Sequence, residues 1–326
     1  MIDPTLLRAI DAATHILCVS HVSPDGDAYG SLLGMGWLLR HLGKRPVLAM
    51  QDHTPKEFHH LPGIDNIIGP KAVAAHYDLI ICLDASSIDR MGLVYREKAH
   101  RSIPLLVIDH HITNTHFGDI NWVAPECAAT CQMLVYLADQ LAVPLTGALA
   151  ECLLTGIVTD TLCFRTSNTT TDVLEAALRL MQGGAELAKI TQRTLNQRSV
   201  ALLRLWGTVL SQVMFEAGVV WVTISRQQMK AAGDLTNDGQ LSSTLITVVE
   251  ADISATFSEK LDEKGRSTVE CSFRAKPGFN VGTVALDFGG GGHPAASGCT
   301  LPGTLAEVTA QVVPALQQAR QREAVR

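Results

Sequence analysis

Acidic and histidine side chains recur four times along this chain, each time in or just past an apolar run. They are His21, Asp25 and Asp27 in HVSPDGD, Asp84 after LIICL, Asp109, His110 and His111 in IDHH, and Asp160 in GIVTD. Carboxylates gathered together repel one another and titrate abnormally unless cations lie between them. Oxygen donors mixed with imidazole suit Mn²⁺ or another first-row ion better than Ca²⁺. The pattern therefore predicts a centre of two metal ions. Asp25 and Asp27, two apart in a loop, can serve different ions, and Asp84 can bridge them. Adjacent histidines at a strand end point to different sides, so one of His110 and His111 can bind metal while the other faces substrate. Asp160 sits in an apolar helical segment, where a carboxylate is costly to bury without a partner. Taken singly, Asp25-Gly26-Asp27 also suits an Asx turn and a helix N-cap, and Asp84 suits an N-cap. The coincidence of all four clusters favours metal.

The elements around these clusters have a consistent rhythm. Segments 16–20, 79–83 and 105–108 read as buried strands of a parallel sheet. In open α/β sheets the ligand site lies beyond the carboxyl ends of the strands, so the clusters are expected to converge on one crevice. A strand at 46–50 and a helix at 29–42 complete a βαβ rhythm over residues 1–125. Helices follow at 128–141, 147–158 and 172–181, with possible N-caps at 167–170. A second pattern has strands at 219–224, 253–258, 267–274 and 297–301 and helices near 241–249, 281–288 and 305–320. The expected fold class is α/β. A parallel-sheet domain with helices on both faces spans 1–190, a helical linker 191–215, and a smaller α/β domain with a mixed sheet 216–326.

Composition narrows the function. The 326 residues suit two domains, and 47% hydrophobic content supplies ample cores. A net charge of −6 argues against a long, non-specific grip on nucleic acid. Aromatic residues make up only 5%, so no extended stacking track for long single strands is evident. The eight cysteines form no C-x-x-C pair, and Cys127 and Cys131 lack the second pair a zinc site needs. Most lie in apolar runs and read as buried small hydrophobes. A disulfide framework is not expected, which points to a reducing compartment. The N-terminal MIDPTLLRAI lacks the features of a signal peptide. No apolar stretch reaches the roughly 20 residues of a membrane helix. A soluble, cytoplasmic protein without membrane contact is expected.

HVSPDGDAYGS, LDASS, IDHH and GIVTDTLCFRT resemble the four motifs of the DHH phosphoesterases, and GGGGHPAASG resembles the signature of that family's associated C-terminal domain. The resemblance runs from about residue 10 to 305. It is closest to the short two-domain branch of oligoribonucleases and 3′-phosphoadenosine-5′-phosphate phosphatases. It implies that His21 and Asp25 hold one Mn²⁺, that Asp27, His110 and Asp160 hold the other, and that Asp84 bridges them, with Mg²⁺ or Co²⁺ as possible substitutes. It implies that Asp109 orients a neighbouring histidine and that His111 contacts the scissile phosphate. The reaction would be in-line attack on phosphorus by hydroxide that two ions activate.

In the second domain, successive amides of Gly290, Gly291 and Gly292 can form an anion-binding concavity. By the resemblance, His293 reaches the phosphate, and Arg274, in the Ser272-x-Arg274-x-Lys276 context, binds a terminal phosphate. Arg165, five residues after Asp160, is a further phosphate-contact candidate. The expected substrates are very short RNA, cut to mononucleotides, and 3′-phosphoadenosine 5′-phosphate, cut to AMP. One domain would hold the metals and the other the substrate's end. Cyclic dinucleotides or their linear products are the alternative substrates, and a non-catalytic nucleotide-binding regulator is the alternative class. A homodimer is expected from the family. His53, His59 and His60, near the Thr54-Pro55 turn, read as surface or substrate-rim residues.

Overall fold

A computed structural model describes residues 2–262 and 264–324. The chain divides into two compact units that meet in sequence between Gln197 and Arg198. In the first, helix α1 (Pro4–Ala12) leads into strand β1 (His15–Val19), helix α2 (Gly26–His41) and strands β2 (Arg45–Ala49), β3 (Ile67–Ile68) and β4 (Leu79–Leu83). The short helix α3 (Glu97–His100) and strands β5 (Leu105–Asp109) and β6 (Ile120–Val123) follow. Helices α4 (Thr130–Gln140), α5 (Gly147–Asp160), α6 (Thr171–Gln182) and α7 (Leu187–Thr194) complete the unit.

The six strands form one sheet in the order β3-β2-β1-β4-β5-β6, with every pairing parallel. Side chains alternate across the sheet as the two-residue strand period demands. Ile16, Cys18, Ile81, Leu83 and Ile108 face the core beneath α2, α4 and α5. Leu17, Val19, Ile80, Cys82 and Val107 face a smaller core closed by Tyr77, Met91, Val94 and Ile103. That second face is covered by α3 and short 3-10 turns such as Ile88–Val94. The connections 50–79 and 84–105 carry no long apolar period from which a helix would form.

Strand order reverses between β1 and β4, because the chain first builds outward through β2 and β3 and then returns. Such a reversal opens a crevice at the carboxyl ends of the two central strands. Helix α2 packs on α5 at very short range. A side-chain carbon at Gly30 would lie 2.6 Å from the Cys152 carbonyl, and one at Gly34 would lie 2.5 Å from the Leu153 side chain. Glycines four apart share one helix face, so these two let the helix backbones touch.

The second unit begins with α8 (Val200–Leu210), so segment 191–215 divides between the units, with the end of α7 in the first. It continues through β7 (Met214–Glu216), β8 (Val219–Ile224), α9 (Arg226–Gly233), α10 (Leu241–Leu245), β9 (Ile253–Leu261) and β10 (Ser267–Ala275). It closes with α11 (Gly282–Asp287), β11 (Gly291–His293), β12 (Ala296–Pro302) and α12 (Leu305–Ala324). The sheet order is β11-β12-β10-β9-β8-β7, with β8 and β9 parallel and the other pairs antiparallel. The mixed sheet is as expected. Strands β3, β6, β7 and β11 are too short for a sequence period to reveal. All eight cysteines are free, and all but Cys163 are buried. Among the described residues, no helix is long and apolar enough to cross a membrane.

Candidate metal centre and active site

His21 follows β1 and Asp84 follows β4, the two strands that flank the reversal. The Ser20 hydroxyl donates to the Leu83 carbonyl at 2.9 Å and ties the two strand ends together. Asp25 does cap α2, accepting from the amides of Asp27 and Ala28 at 3.0 Å each through Oδ1. Capping and ligation are compatible, because a carboxylate offers about four acceptor sites. The His21 Nε2 lies 3.8 Å from Asp25 Oδ1 and 3.5 Å from Asp84 Oδ2.

Asp84 is buried and left-handed, at φ 59°. Strain of this kind clusters where function over-determines the backbone. Its other oxygen, Oδ1, lies 3.5 Å from His110 Nε2 and accepts from the Thr130 hydroxyl at 3.0 Å. One carboxylate thus presents one oxygen to His21 and the other to His110.

Asp27 is buried at the start of α2 and held by the first turn of α4. Its oxygens accept from the amides of Thr130 at 2.6 Å and Cys131 at 3.0 Å. The amides of a helix N-terminus suit an anion. Asp160, the last residue of α5, is partly exposed, and its Oδ2 lies 3.5 Å from His110 Nε2. The same nitrogen is 3.9 Å from Asp27 Oδ2. Three groups of donor atoms result within this unit, His21–Asp25–Asp84, Asp27–His110–Asp160 and Asp84–Asp109–His111, the atoms of each within 4.8 Å of one another.

His110 and His111 lie side by side, ring centroids 4.7 Å apart, and both reach Asp84 Oδ1, at 3.5 Å from His110 Nε2 and 3.7 Å from His111 Nδ1. The Nδ1 of His110 faces the Cys127 carbonyl at 3.3 Å, which fixes its Nε2 toward the carboxylates. The Nδ1 of His111 lies 2.7 Å from Asp109 Oδ1. Asn114 donates to the second oxygen of Asp109 at 2.6 Å and to the Ala85 carbonyl at 3.1 Å. Asp109 therefore anchors His111.

The electrostatics fit cations. Burial, then the neighbouring Asp84 and Asp160, pushes Asp27 well above the ordinary carboxylate range. Burial opposes charge on His21, yet the carboxylates of Asp25 and Asp84 outweigh it and raise the imidazole to about 10. Burial likewise opposes charge on His111, and the Asp109 hydrogen bond outweighs it, raising it to about 9. Burial keeps His110 below its usual value, as suits a neutral ligand. Mixed carboxylate and imidazole donors, with imidazole Nε2 atoms aimed at carboxylates, form a set that divalent cations satisfy.

Arg165 is exposed, its Nε donating to the Leu162 carbonyl at 2.7 Å. It follows Leu162, Cys163 and Phe164, three consecutive left-handed residues just beyond Asp160. In the second unit, Arg274 donates through Nε to the Ser243 hydroxyl at 3.1 Å. Gly291, Gly292 and His293 form β11 rather than an open loop, and a side-chain carbon at Gly290 would lie 2.1 Å from the Gly298 carbonyl. Close packing against β12 thus requires glycine at 290. His59 is exposed and His60 half-buried; each bonds a backbone carbonyl of its own loop, of Thr54 at 3.0 Å and Glu57 at 2.8 Å respectively. His53 is exposed.

Three side chains of the site had no signal in the sequence. Thr130 and Asn114 reach it through tertiary approach from α4 and the loop after β5. Arg90 places Nη2 2.9 Å from His21 Nδ1.

Residues 15–157 match the DHH family, N-terminal domain, and residues 225–322 match the DHHA1 domain. The chain is similar to the bifunctional oligoribonuclease and PAP phosphatase NrnA of Thermus thermophilus, with 36% identity over 91% of this chain and 87% of that protein. It is similar to the protein of the same name from Bacillus subtilis, with 27% identity over 91% and 92% of the two chains. Among solved structures it is similar to an exopolyphosphatase-related protein from Bacteroides fragilis, with TM-score 0.85 and 25% identity over 96% and 94% of the two chains. With its own metal-ligand geometry and a relative this similar over most of its length, the chain belongs to the DHH phosphoesterase family.

Proposed function

We propose that the protein is a Mn²⁺-dependent phosphoesterase using two ions, which hydrolyses very short oligoribonucleotides to mononucleotides and 3′-phosphoadenosine 5′-phosphate to AMP. The observation that carries this reading is the pair of donor groups, His21–Asp25–Asp84 and Asp27–His110–Asp160, with Asp84 of the first reaching His110 of the second. The names of the relatives that span most of the chain support the substrate class. Divalent ions bound there supply Lewis-acid neutralisation of the phosphoryl oxygens and acidification of water.

The chain's own residues do the rest. His111, raised to about 9 and held by Asp109, carries its proton at neutral pH and offers Nε2–H to a phosphoryl or leaving oxygen. Asp109 fixes that orientation and stabilises the charged imidazole. Arg165 in the first unit, and Arg274, His293 and the 290–292 backbone in the second, are the proposed substrate contacts. Action in the cytoplasm and assembly as a homodimer belong to the same reading. Exposed Leu174, Leu178 and Met181, one face of α6, support association.

Hydrolysis of an RNA series from two to about twenty nucleotides, beside 3′-phosphoadenosine 5′-phosphate and a cyclic dinucleotide, tests this directly. Rates that collapse beyond a few nucleotides are expected, with AMP released from the phosphonucleotide. Equal or faster cutting of long strands would sink the short-substrate reading.

The metal dependence has a definite pH sign. In the metal-free protein His21 holds a proton up to about 10, against 6.5 for the ordinary residue. The stability this proton confers is complete below 6.5 and lost as pH rises through about 10. For these residues to hold a cation, His21 would have to give up that proton and Asp27 would have to ionise as well. Mn²⁺ affinity is therefore expected to rise from pH 6 to pH 9, with proton release on binding. Calorimetry in buffers of different ionisation enthalpy reads both quantities. Affinity that stays flat with pH would show that His21 is not displaced.

A further inference from the structure

We propose that Arg90 is an anion-binding residue of this site, gripping a phosphate oxygen of the substrate; the inference rests on the phosphoesterase reading above. Arg90 lies in the 3-10 segment Ile88–Val94, six residues beyond Asp84. The backbone there is pinned from several sides. The Arg90 carbonyl accepts from the Val22 amide at 2.8 Å, and its amide donates to the Ser87 carbonyl at 3.1 Å. The Leu93 amide donates to Gln51 Oε1 at 2.7 Å. Gly92, at φ 58°, leaves no room for a side chain, since a carbon there would lie 2.5 Å from Val22 and 2.3 Å from Gln51. The guanidinium is thus held beside His21, on the Nδ1 edge of its ring, by a fixed segment.

Its contact there is unsatisfactory in a way that points to a ligand. Arg90 Nη2 lies 2.9 Å from Nδ1 of His21, and the Val22 carbonyl lies 2.9 Å from the same nitrogen. Accepting from Arg90 needs a lone pair on Nδ1, whereas donating to Val22 needs a hydrogen. The opposite nitrogen, Nε2, faces Asp25 and Asp84. When Nε2 offers its lone pair to a cation, Nδ1 carries the hydrogen and the Val22 carbonyl accepts it. Val22 then orients His21 without help, and Arg90 meets a donor with a donor. Among the described residues no carboxylate pairs with Arg90, although two lie across the imidazole from it. A half-buried guanidinium without an acceptor is costly. A planar donor fork of this kind matches phosphate oxygens.

The test compares the Mn²⁺-loaded wild type with Arg90→Ala and Arg90→Lys. Inorganic phosphate binding is measured by calorimetry, steady-state kinetics on a diribonucleotide give KM and kcat, and thermal shift reports Mn²⁺ binding. Arg90→Ala is expected to weaken phosphate binding about 10- to 100-fold and to raise KM by a similar factor, with the Mn²⁺ thermal shift unchanged. Arg90→Lys should recover part of the loss, and added methylguanidinium should partly rescue Arg90→Ala. Unchanged phosphate affinity, or a lost Mn²⁺ shift with phosphate affinity intact, overturns the assignment and makes Arg90 a support of His21. A wild type that binds phosphate through Arg90 yet cuts no phosphoester would instead remove the enzymatic reading and leave the anion site standing.

Discussion

Asp84→Asn is expected to lower turnover at least a thousandfold while leaving the fold intact. Asp84 presents one oxygen toward His21, with which it forms a donor group that includes Asp25, and the other toward His110. Its charge serves both donor groups at once, so its removal weakens both. Charge stabilisation by metal ions is worth several kcal/mol, and each 1.36 kcal/mol is tenfold in rate. Asparagine is the informative substitute because it tolerates the left-handed φ of 59° at this position. It also keeps an oxygen for the Thr130 hydroxyl. Mn²⁺ at about 100 times its dissociation constant stabilises a folded protein by about 2.7 kcal/mol. For a unit of this size that is a rise in Tm of roughly 5–10 °C. The wild type is expected to show this rise and Asp84→Asn to lose most of it. Retained turnover together with an undiminished thermal shift would remove Asp84 from the metal centre.

Gly156→Ala is expected to damage both stability and catalysis, although residue 156 bears no functional group. A side-chain carbon there would lie 2.2 Å from Cys131 Sγ and 2.5 Å from Asp27 Oδ1. Neither neighbour has room to retreat. Cys131 is buried in α4, and Asp27 is locked to the Thr130 and Cys131 amides. Overpacking of this kind typically costs about 1–3 kcal/mol, a fall in Tm of roughly 2–12 °C for a unit of this size. Displacing Asp27 by a fraction of an ångström also disturbs the donor group it shares with His110 and Asp160. A misplacement of about 1 Å can cost about a hundredfold in rate, and that is the loss expected. Adding Cys131→Ala relieves the contact with sulfur and not the contact with the carboxylate. The double variant should therefore regain stability more than activity, a non-additivity that a double-mutant cycle reads directly. A single variant with wild-type Tm and turnover would show that α2, α4 and α5 are not in the close contact described.

These expectations show where local pattern sufficed and where it did not. Residues 16–19 of β1, all of β4 and residues 105–108 of β5 are uninterrupted apolar runs, and a parallel strand buried on both faces has to read that way. The edge strands β3 and β11 have two and three residues and leave no period to detect. The glycine run at 289–292 permits a phosphate cradle, and the pairing of β11 with β12, three residues long, adds a packing demand on part of that run that no period in the sequence reveals.

The chain by itself determined the donor inventory. Aspartates and histidines at the ends of buried strands have few stable uses other than metal, and strand ends on one side of a parallel sheet must face one crevice. Tertiary structure decided how those donors are shared and held. That Asp84 divides its oxygens between His21 and His110, that Asp27 rests on the amides of α4, and that Asn114 anchors Asp109 all depend on approaches between residues five to more than a hundred positions apart. Such approaches leave no periodic trace in a sequence, because they are fixed by how helices and loops pack over the sheet and not by the preference of any local segment.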